Sequence, residues 1–556
     1  MYKPYDCSDH ISCGVNNDQP LRYSFAVPHG SRYKGPIQVA NRNGEFVTIQ
    51  ALVDSVTGDS RLYWKIGDDL KFGTMEDLFS SYMSAINKDE YKILSVKRDG
   101  KLPYNNKTPI LNCNNIKPCF IPIQDVVYHG IKPVYKITLR NGKTIKITKD
   151  HCLFHNEKGS YQTEIKSTTL DKLKSVVSVD NYLFEGNPIP YTDDILTFMG
   201  LWMADGSFSK NDTKIRGVHI STGDNPKILE WLNKFTVEHT VNSKGGALKY
   251  ITKGDVGIYN TQFGLQISEL FGENADSYTK RIPKELFIAT KHQISCFLKG
   301  YFSGDGSIHI MNDNAKLTNY KYGSYYTIDC SSVNKELLED VGLLLDRLGI
   351  KYNISEGYLP STSGFKSKNL QYKLSIHAYP STKKFIEQIG LIKEFTFKER
   401  DVYQRDKKQR PVSLRQIRKI EYIGQEPVYD ISVAYTEAFI ANGILCHNSG
   451  NDITIFTRST ADMLGFNPDL IQDRFFVKGI NGPGSEFALV QTYLKFGNLP
   501  PIKAPVGFAL SNESLSENLI GKKGVFDSGL ISITYDEDSV DIVSKIGNRV
   551  TCCGWN

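Results

Sequence analysis

The order of hydrophobic and polar positions divides the 556 residues into a nested arrangement, with strand patterns outside and mixed patterns inside. Alternating residues around Asn43-Gly44 and Asn141-Gly142 predict two β-hairpins, because Asn-Gly favours the tight turns between antiparallel strands. Helical periodicity enters only in the middle of the chain, and strand patterns with Gly and Pro turns return toward its end. Residues 401–420 carry many basic side chains, which predicts a connector between these regions.

Composition and charge indicate the broad class of protein to which the chain belongs. The chain is 40% hydrophobic and 23% charged, which is typical of a folded globular protein, and its ten cysteines are too scattered for a disulfide scaffold. We find neither a signal peptide nor an apolar run of the roughly 20 residues that span a membrane, so we expect an intracellular, cytoplasmic protein without membrane contact. Residues 55–448 carry 53 Lys/Arg and 44 Asp/Glu, a net charge of +9 that fits polyanion binding.

Two helix patterns in the middle of the chain end in the same way. ILTFMGLWMADGS and ISCFLKGYFSGDGS place large apolar and small residues at helical spacing and finish at Asp205-Gly206 and Asp305-Gly306. A carboxylate is electrostatically unfavourable at a helix C-terminus, and two facing carboxylates need a shared proton or a divalent cation. Mg²⁺ between carboxylates and a phosphate is an arrangement that cleaves phosphodiesters.

These strings resemble the paired motifs of the LAGLIDADG, or DOD-type, homing endonucleases, with YTKRIPKELF before the second motif as further support. The resemblance implies an α+β endonuclease of two αββαββ repeats over residues 181–400, with double-stranded DNA as its partner. It also implies that Asp205 and Asp305 bind the catalytic Mg²⁺. A basic residue often accompanies this site in the family, and Lys373 in QYKLSI is our candidate; a solvated strand lysine is the alternative.

A second group of residues with reactive side chains, His447-Asn448-Ser449, lies at the end of the middle region. An asparagine amide can attack its own backbone carbonyl and break the chain after itself. Histidine is well suited to protonate the leaving amide, and a hydroxyl directly downstream can accept an acyl group. The three residues therefore favour a self-cleaving peptide bond.

With FIANGIL before it, this string resembles the C-terminal block of inteins. SVTGDSRLYWKIGDDL resembles the first intein block, and TKDH resembles the family's TxxH block. The resemblance implies an all-β Hint splicing domain, split into residues 55–180 and 401–448, that needs no cofactor. Its predicted catalytic residues are the first residue, the two TxxH side chains, an aspartate that assists coupling, and the junction residues: Ser55, Thr148, His151, Asp430, His447, Asn448 and Ser449.

The resemblance implies a fixed series of acyl transfers. Ser55 attacks the Asp54 carbonyl, Ser449 takes over the upstream chain, and Asn448 cyclises. A final shift to nitrogen leaves a peptide bond between Asp54 and Ser449.

Joining the flanks gives ALVD followed by SGND, which resembles the active-site loop of retropepsin-like aspartic proteases. Residues 1–54 and 449–556 would then be halves of an all-β retropepsin-like barrel. Asp54, Ser449 and Gly450 would form the catalytic turn, and activity on a peptide substrate would require a homodimer. VKGINGPGS at 477–485 resembles the flap, and Leu519-Ile520-Gly521 resemble the apolar-Gly block.

Two alternatives stay open at this point. The splicing blocks can belong to an inactive element, which would leave a stand-alone homing endonuclease. The flanks can form a β-barrel binding module without catalytic function.

Overall fold

The computed structural model describes most of the chain, and every structural statement below concerns the described part. Those residues are 22–25, 32–33, 37–49, 55–98, 113–149, 151–156, 165–223, 225–239, 248–252, 254–311, 325–357, 370–393, 410–433, 438–447, 454–477, 485–496, 501–511, 531–536, 539–544 and 550–553. None of the helices in these ranges combines the length and apolar character needed to cross a membrane.

The N-terminal flank contributes short antiparallel strands: β1 (Arg22–Phe25), β2 (Arg32–Tyr33), β3 (Ile37–Ala40) and β4 (Phe46–Ile49). The predicted hairpin at Asn43-Gly44 is confirmed, because β3 pairs with β4 across this turn. Gly44 has φ +82°, a conformation that favours glycine, and the Asn41 side chain accepts the backbone N–H groups of Asn43 and Glu45.

The following region is almost entirely β, as its pattern predicted. It contains β5 (Val56–Thr57), β6 (Arg61–Ile66), β7 (Asp69–Thr74), α1 (Met75–Ser84), β8 (Tyr91–Arg98), β9 (Ile116–Leu139), β10 (Thr144–Thr148), β11 (Leu153–His155), β12 (Lys166–Thr168), a 3₁₀ turn (Leu170–Lys172) and β13 (Ser175–Val179). The predicted Asn141-Gly142 hairpin joins β9 to β10, with Gly142 at φ +87°.

The middle of the chain has two similar halves in sequence order. The first comprises α2 (Asp193–Asp205), β14 (Gly206–Asn211), β15 (Lys214–Ser221), α3 (Pro226–His239), β16 (Leu248–Thr252), β17 (Asp255–Ile258) and α4 (Thr261–Phe271). After α5 (Lys284–Ile288), the second comprises α6 (Lys291–Gly304), β18 (Gly306–Met311), β19 (Tyr325–Ser332), α7 (Lys335–Leu348), β20 (Asn353–Gly357), β21 (Gln371–Ile376) and α8 (Tyr379–Gln388). Each half holds a four-stranded sheet, and both follow the αββαββ order that the resemblance implied.

The remaining strands complete the splicing region and the C-terminal flank. The first group is β22 (Val412–Val433), β23 (Ala438–Ala441) and β24 (Ile444–His447). The flank holds β25 (Thr454–Phe456), α9 (Arg458–Met463), a 3₁₀ turn (Pro468–Leu470), β26 (Arg474–Val477), β27 (Ser485–Phe496), β28 (Ile502–Ala509), β29 (Ile531–Asp536), β30 (Ser539–Ser544) and β31 (Val550–Cys553).

The predicted connector at 401–420 is wrong where the structure describes it. Strand β22 begins at Val412, pairs with β13, and then runs antiparallel to β9 from Ile417 opposite Leu139 to Val433 opposite Ile123. The basic side chains misled the prediction because this part of the strand is largely exposed, so that charged residues such as Arg418 and Lys419 lie within it. Residues 401–409 lie outside the described part.

Strands from both flanks pair with one another in three sheets of the described residues, the largest of which has six strands. Its order is β25-β28-β27-β3-β4, with β26 also pairing with β27, and Val39 of the N-terminal flank lies opposite Leu494 of the C-terminal flank. Val39 and Leu494 are fully buried in the same apolar cluster. The two flanks therefore fold as one unit around the insertion. Strands β26 and β27 bracket the predicted flap loop, while 478–484 and the 519–521 block lie outside the described residues.

A buried charge cluster joins the β region to the endonuclease-like halves. The Lys143 ammonium lies 2.8 Å from the Asp346 carboxylate on α7 and 3.4 Å from that of Asp180, and all three side chains are almost fully buried. Burial raises the pKa of Asp346, whereas Lys143, Arg415 and Lys351 hold the pKa of Asp180 below its ordinary value against the effect of burial. The lysine therefore compensates two buried carboxylates at once.

We expect Lys143→Met to lower the free energy of unfolding by about 3–5 kcal/mol, because it leaves buried carboxylates without their shared cation. The measurement is urea unfolding at pH 7 of the full chain carrying Ser55→Ala and Asn448→Ala. Lys419→Met, which removes an exposed cation paired with Glu421, is the control and should cost at most about 1 kcal/mol. Equal losses in the two variants would contradict the prediction.

Candidate functional sites

Ser55 lies directly before β5, between two longer strands. Val56 pairs with Ile147 of β10 on one side and with Tyr429 of β22 on the other. Antiparallel register therefore places the next residues, Thr148 and Asp430, on either side of Ser55. Three of the predicted splicing residues meet at this position.

The amide nitrogen of Ser55 belongs to the peptide bond predicted to break, and Thr148 holds it. The Ser55 N–H donates to Thr148 Oγ1 at 3.1 Å, and the Thr148 N–H donates to the Ser55 carbonyl at 3.0 Å. Ser55 is fully buried, and Thr148 is 4% exposed. These two hydrogen bonds hold the backbone of Ser55 against Thr148 and keep Ser55 away from bulk water.

His151 and His447, the two predicted histidines, lie close together at this site. The His151 N–H donates to the Thr148 carbonyl, and the His447 N–H donates to the carbonyl of Cys152. His151 is fully buried, and burial together with the nearby His447 lowers its pKa to about 3. Its ring is therefore neutral at neutral pH, and neither ring nitrogen has a hydrogen-bond partner among the described residues.

Asp430 connects the start of the predicted element with its end. It is 5% exposed and lies opposite Val127 in the β9–β22 ladder. Burial raises the pKa of the Cys446 thiol, and the Asp430 carboxylate raises it further, which places Asp430 near β24. The coupling role that the resemblance implied for Asp430 stays a prediction.

Several predicted residues lie just beyond these contacts. Asp54, Asn448, Ser449 and Gly450 are outside the described residues, so their geometry stays a prediction. The described chain reaches Ser55 on one side of the junction and His447 on the other. Backbone hydrogen bonds through Thr148, His151 and Cys152 link those two ends.

Sequence reasoning missed His129. Its Nδ1 lies 2.8 Å from Ser55 Oγ, the predicted nucleophile. The residue sits within β9, outside the three blocks that carried the resemblance. A histidine in a strand pattern has no local signal that separates it from a packing residue, so only the tertiary contact identifies it.

The second site lies where helices α2 and α6 cross at very close range. A Cβ on Gly200 would overlap the Phe297 carbonyl, and one on Gly300 would overlap the Thr197 carbonyl. A Cβ on Gly304 would lie 2.6 Å from the carboxylate of Asp205. Glycine therefore permits the contact that brings the ends of both acidic motifs together.

Both aspartates are costly to ionise in this buried site, and Asp205 adds to the cost at Asp305. Burial and the neighbouring Asp205 raise the pKa of Asp305 to about 7, and burial raises the pKa of Asp205. A hard divalent cation bound by oxygen ligands would remove this penalty. The donor set fits Mg²⁺, and Asp205 and Asp305 are the residues that would hold it.

Two lysines act on this acidic pair. Lys280, in the YTKRIPKELF string, is 4% exposed and donates from Nζ to the carbonyls of Trp202, Met203 and Gly206 at 3.1, 3.2 and 2.6 Å. Burial lowers its pKa to about 8, against the raising effect of both aspartates. Lys393 donates to the Gly304 carbonyl at 3.3 Å and lowers the pKa values of the same aspartates.

Lys373, the sequence candidate for the basic residue, has a different environment. It lies on β21 and pairs with the Asp329 carboxylate at 3.0 Å, with a half-exposed side chain. Among the described residues, Lys280 and Lys393 are the lysines that act on the pKa values of both site aspartates. The lysine burial that marks Lys280 cannot be recognised from local sequence.

Another group of possible metal ligands lies at the opposite end of the same helix pair. Atoms of Asp193, His292 and Cys296 lie within 4.8 Å of one another. His292 Nε2 already contacts the Asp193 carboxylate at 2.7 Å, and both side chains are mostly exposed. This contact and the exposure of both side chains to solvent give the cluster polar partners.

Comparisons with known proteins agree with the first site. The model of the intein splicing domain matches residues 43–448. DNA polymerases of Thermococcus hydrothermalis and Thermococcus litoralis are 24% and 26% identical over 433 and 437 residues, which cover 71% of this chain and 23% of each polymerase. This chain thus spans about a quarter of the length of these curated relatives.

Solved structures give only distant likenesses. The G-1F mutant of Ssp DnaB mini-intein variant M86 covers 71% of this chain and 99% of its own, at 12% identity and a TM-score of 0.22. The meganuclease I-SmaMI bound to uncleavable DNA covers 36% and 85%, at 13% identity and a TM-score of 0.24. These scores add nothing to the assignment, which rests on the family model. Since that model matches more than half of the chain, the chain belongs to the intein splicing domain family.

Proposed function

We propose that this chain excises residues 55–448 by the reaction of its family and joins Asp54 to Ser449 through a new peptide bond. The observation that carries the proposal is the buried Ser55 amide held by Thr148, with His151 and His447 brought together beside it. A hydroxyl, a fixed amide and neutral imidazole are the groups that acyl transfer requires.

The first step uses the Ser55 side. Ser55 Oγ attacks the carbonyl of Asp54, and the acyl group moves from nitrogen to oxygen. Thr148 Oγ1 accepts the N–H of the breaking amide and orients it, and we assign neutral His151, whose ring nitrogens have no partner among the described residues, to the same bond. Asp430, on the opposite side of Ser55, links this step to the later ones.

The later steps use the residues after β24. Ser449 attacks the ester and takes the upstream chain, and Asn448 then cyclises and releases the inserted element. His447 directly precedes that asparagine and is positioned by its backbone bond to Cys152. A shift from oxygen to nitrogen at Ser449 completes the new peptide bond.

We expect the purified wild-type chain to convert into products of 394 and 162 residues, seen by intact mass after incubation in reducing buffer at neutral pH. Ser55→Ala combined with Asn448→Ala should stay full length. A wild-type chain that also stays full length would favour the alternative of an inactive splicing element.

We expect Thr148→Ala to slow the first step about tenfold to hundredfold, because the scissile amide loses the group that orients it. The measurement is the rate of hydroxylamine cleavage at Ser55 in an Asn448→Ala, Ser449→Ala background. Thr138→Ala, a half-buried threonine of the neighbouring strand β9, is the matched control and should retain the parent rate. Equal rates in the two variants would remove Thr148 from the mechanism.

We further propose that residues 181–400 form a DNA endonuclease that cleaves double-stranded DNA with Mg²⁺ held by Asp205 and Asp305. The raised pKa values of both aspartates support a cation site, and Lys280 is positioned to stabilise negative charge beside it. Strand β15 presents Lys214 and Arg216 at exposed positions that alternate with buried ones, as a phosphate-binding sheet face would.

A plasmid carrying the joined coding sequence of the two flanks is the substrate to test, with Asp205→Asn as the inactive control.

The acidic pair also predicts a pH- and Mg²⁺-dependent stability. Because the folded-state pKa of Asp305 is about 7, above its ordinary 3.8, its ionisation reduces stability as the pH rises through this range. At pH 8 without metal, we expect Asp305→Asn to raise Tm by about 2–4 °C for each kcal/mol of repulsion removed.

Mg²⁺ should raise the Tm of the parent, which is the same chain with Asp305 unchanged, and should leave the Tm of Asp305→Asn nearly unchanged. Scanning calorimetry measures both Tm values. Glu387→Gln, on the surface of α8, should respond to Mg²⁺ as the parent does. A parent Tm that is insensitive to Mg²⁺ would contradict this site.

For the flanks, we propose a second function that exists only after excision: a retropepsin-like aspartic endopeptidase acting as a homodimer on a peptide substrate. The six-stranded sheet shared by both flanks favours one host domain, and the hairpin of β3 and β4 precedes Asp54 in the sequence. The catalytic turn would form when Asp54 meets Ser449 and Gly450.

We expect the Ser55→Ala precursor to lack peptidase activity and the spliced product to have activity that pepstatin inhibits. Asp54→Asn, made in a chain without the insertion, should abolish that activity. A folded spliced product without pepstatin-sensitive cleavage would favour the binding-module alternative.

A further inference from the structure

His129 lies against the nucleophile of the proposed splicing reaction. Its Nδ1 is 2.8 Å from Ser55 Oγ, which is within the range of a strong hydrogen bond. Nδ1 can accept the hydroxyl proton when the imidazole carries its own proton on Nε2. The His129 side chain is half-buried, so the contact lies at the edge of the site that encloses Ser55.

The backbone of β9 is irregular at this residue. Ile131 lies opposite Pro427 and Tyr128 lies opposite Tyr429, so two residues of β9 oppose one residue of β22. This is a β-bulge, and Gly130 within it has φ +81°, a value that favours glycine. Bulges redirect side chains and are frequent beside active sites. The bulge and the hydrogen bond are independent observations that point to the same side chain.

We propose that His129 is the base that activates Ser55 for the first acyl shift, an inference that rests on the proposed splicing function. The Oγ–H bond breaks, its proton moves to Nδ1, and the oxygen electron pair forms a C–O bond to the Asp54 carbonyl carbon. The C–N bond then breaks, its electron pair stays on the Ser55 nitrogen, and that nitrogen takes the proton back. The step is an isomerisation, and His129 ends neutral as it began.

In this proposal, His129 and His151 have different roles in the first acyl shift. His151 is fully buried and resists protonation, since burial and His447 lower its pKa to about 3, so it is a weak base. His129, on another strand, makes the direct contact with Ser55 Oγ. His129 thus acts on the attacking oxygen, and Thr148 and His151 act on the breaking amide.

The test measures ester formation in the full chain carrying Asn448→Ala and Ser449→Ala, by hydroxylamine cleavage at Ser55. His129→Gln, which retains a polar side chain without a titrating ring, should lower the rate about 100-fold or more. Ile131→Gln is the matched control, because it introduces the same side chain at an exposed position of the same strand. Its rate should equal that of the parent.

A Ser55→Cys background separates catalysis from a structural effect. A thiol ionises near neutral pH far more readily than a hydroxyl, so it needs little help from a base. In that background, His129→Gln should change dithiothreitol-induced cleavage by less than about threefold. An equal loss in the serine and cysteine backgrounds, or no loss with serine, would overturn the role of His129. A parent that forms no ester would instead reject the proposed splicing function.

Discussion

The antiparallel pairing of β9 with β22 is the constraint on which the proposed splicing site depends. These two strands come from segments almost 300 positions apart, and the whole endonuclease-like region lies between them. Strand β5 adds to β22 beside this ladder, and β10 folds back onto β9. Ser55, Thr148, Asp430 and His129 therefore occupy fixed positions on one scaffold. The register brings the ends of a long insertion into one buried site.

The endonuclease-like halves meet through a different constraint, which is close contact between helix backbones. Gly200 and Gly300 allow α2 and α6 to approach until carbonyl groups occupy the space of absent side chains. That approach buries Asp205 and Asp305 near each other; burial raises the pKa values of both, and Asp205 raises that of Asp305 further. Ionising both carboxylates costs stability, and a divalent cation of the kind proposed would remove that cost. Lys280 reduces part of this cost while remaining buried against backbone carbonyls.

The two regions do not behave as separate modules joined by a linker. Lys143 of the β region forms an ion pair with Asp346 of α7. Arg61, the first residue of β6, pairs with Glu339 and Asp340 on the same helix. One apolar cluster also contains Tyr63 and Val177 of the β region together with side chains of α2, α6 and α7. Buried contacts of this kind fix the position of the endonuclease-like halves relative to the strands of the β region. The described strands of the two flanks pair with each other in sheets of their own, and both flanks contribute to one apolar cluster.

The sequence by itself determined the features that depend on neighbouring residues. Asn-Gly at 43–44 and 141–142 predicted hairpin turns, the Asp-Gly motifs predicted the ends of two helices, and His447-Asn448-Ser449 indicated chain cleavage, because each is a property of a few adjacent groups. The tertiary structure decided the strand at 412–420, the burial of Lys280 and the contact of His129 with Ser55. Each of these depends on which distant segment becomes the neighbour. Strand register and a bulge determine that neighbour, and local periodicity carries no information about the partner strand.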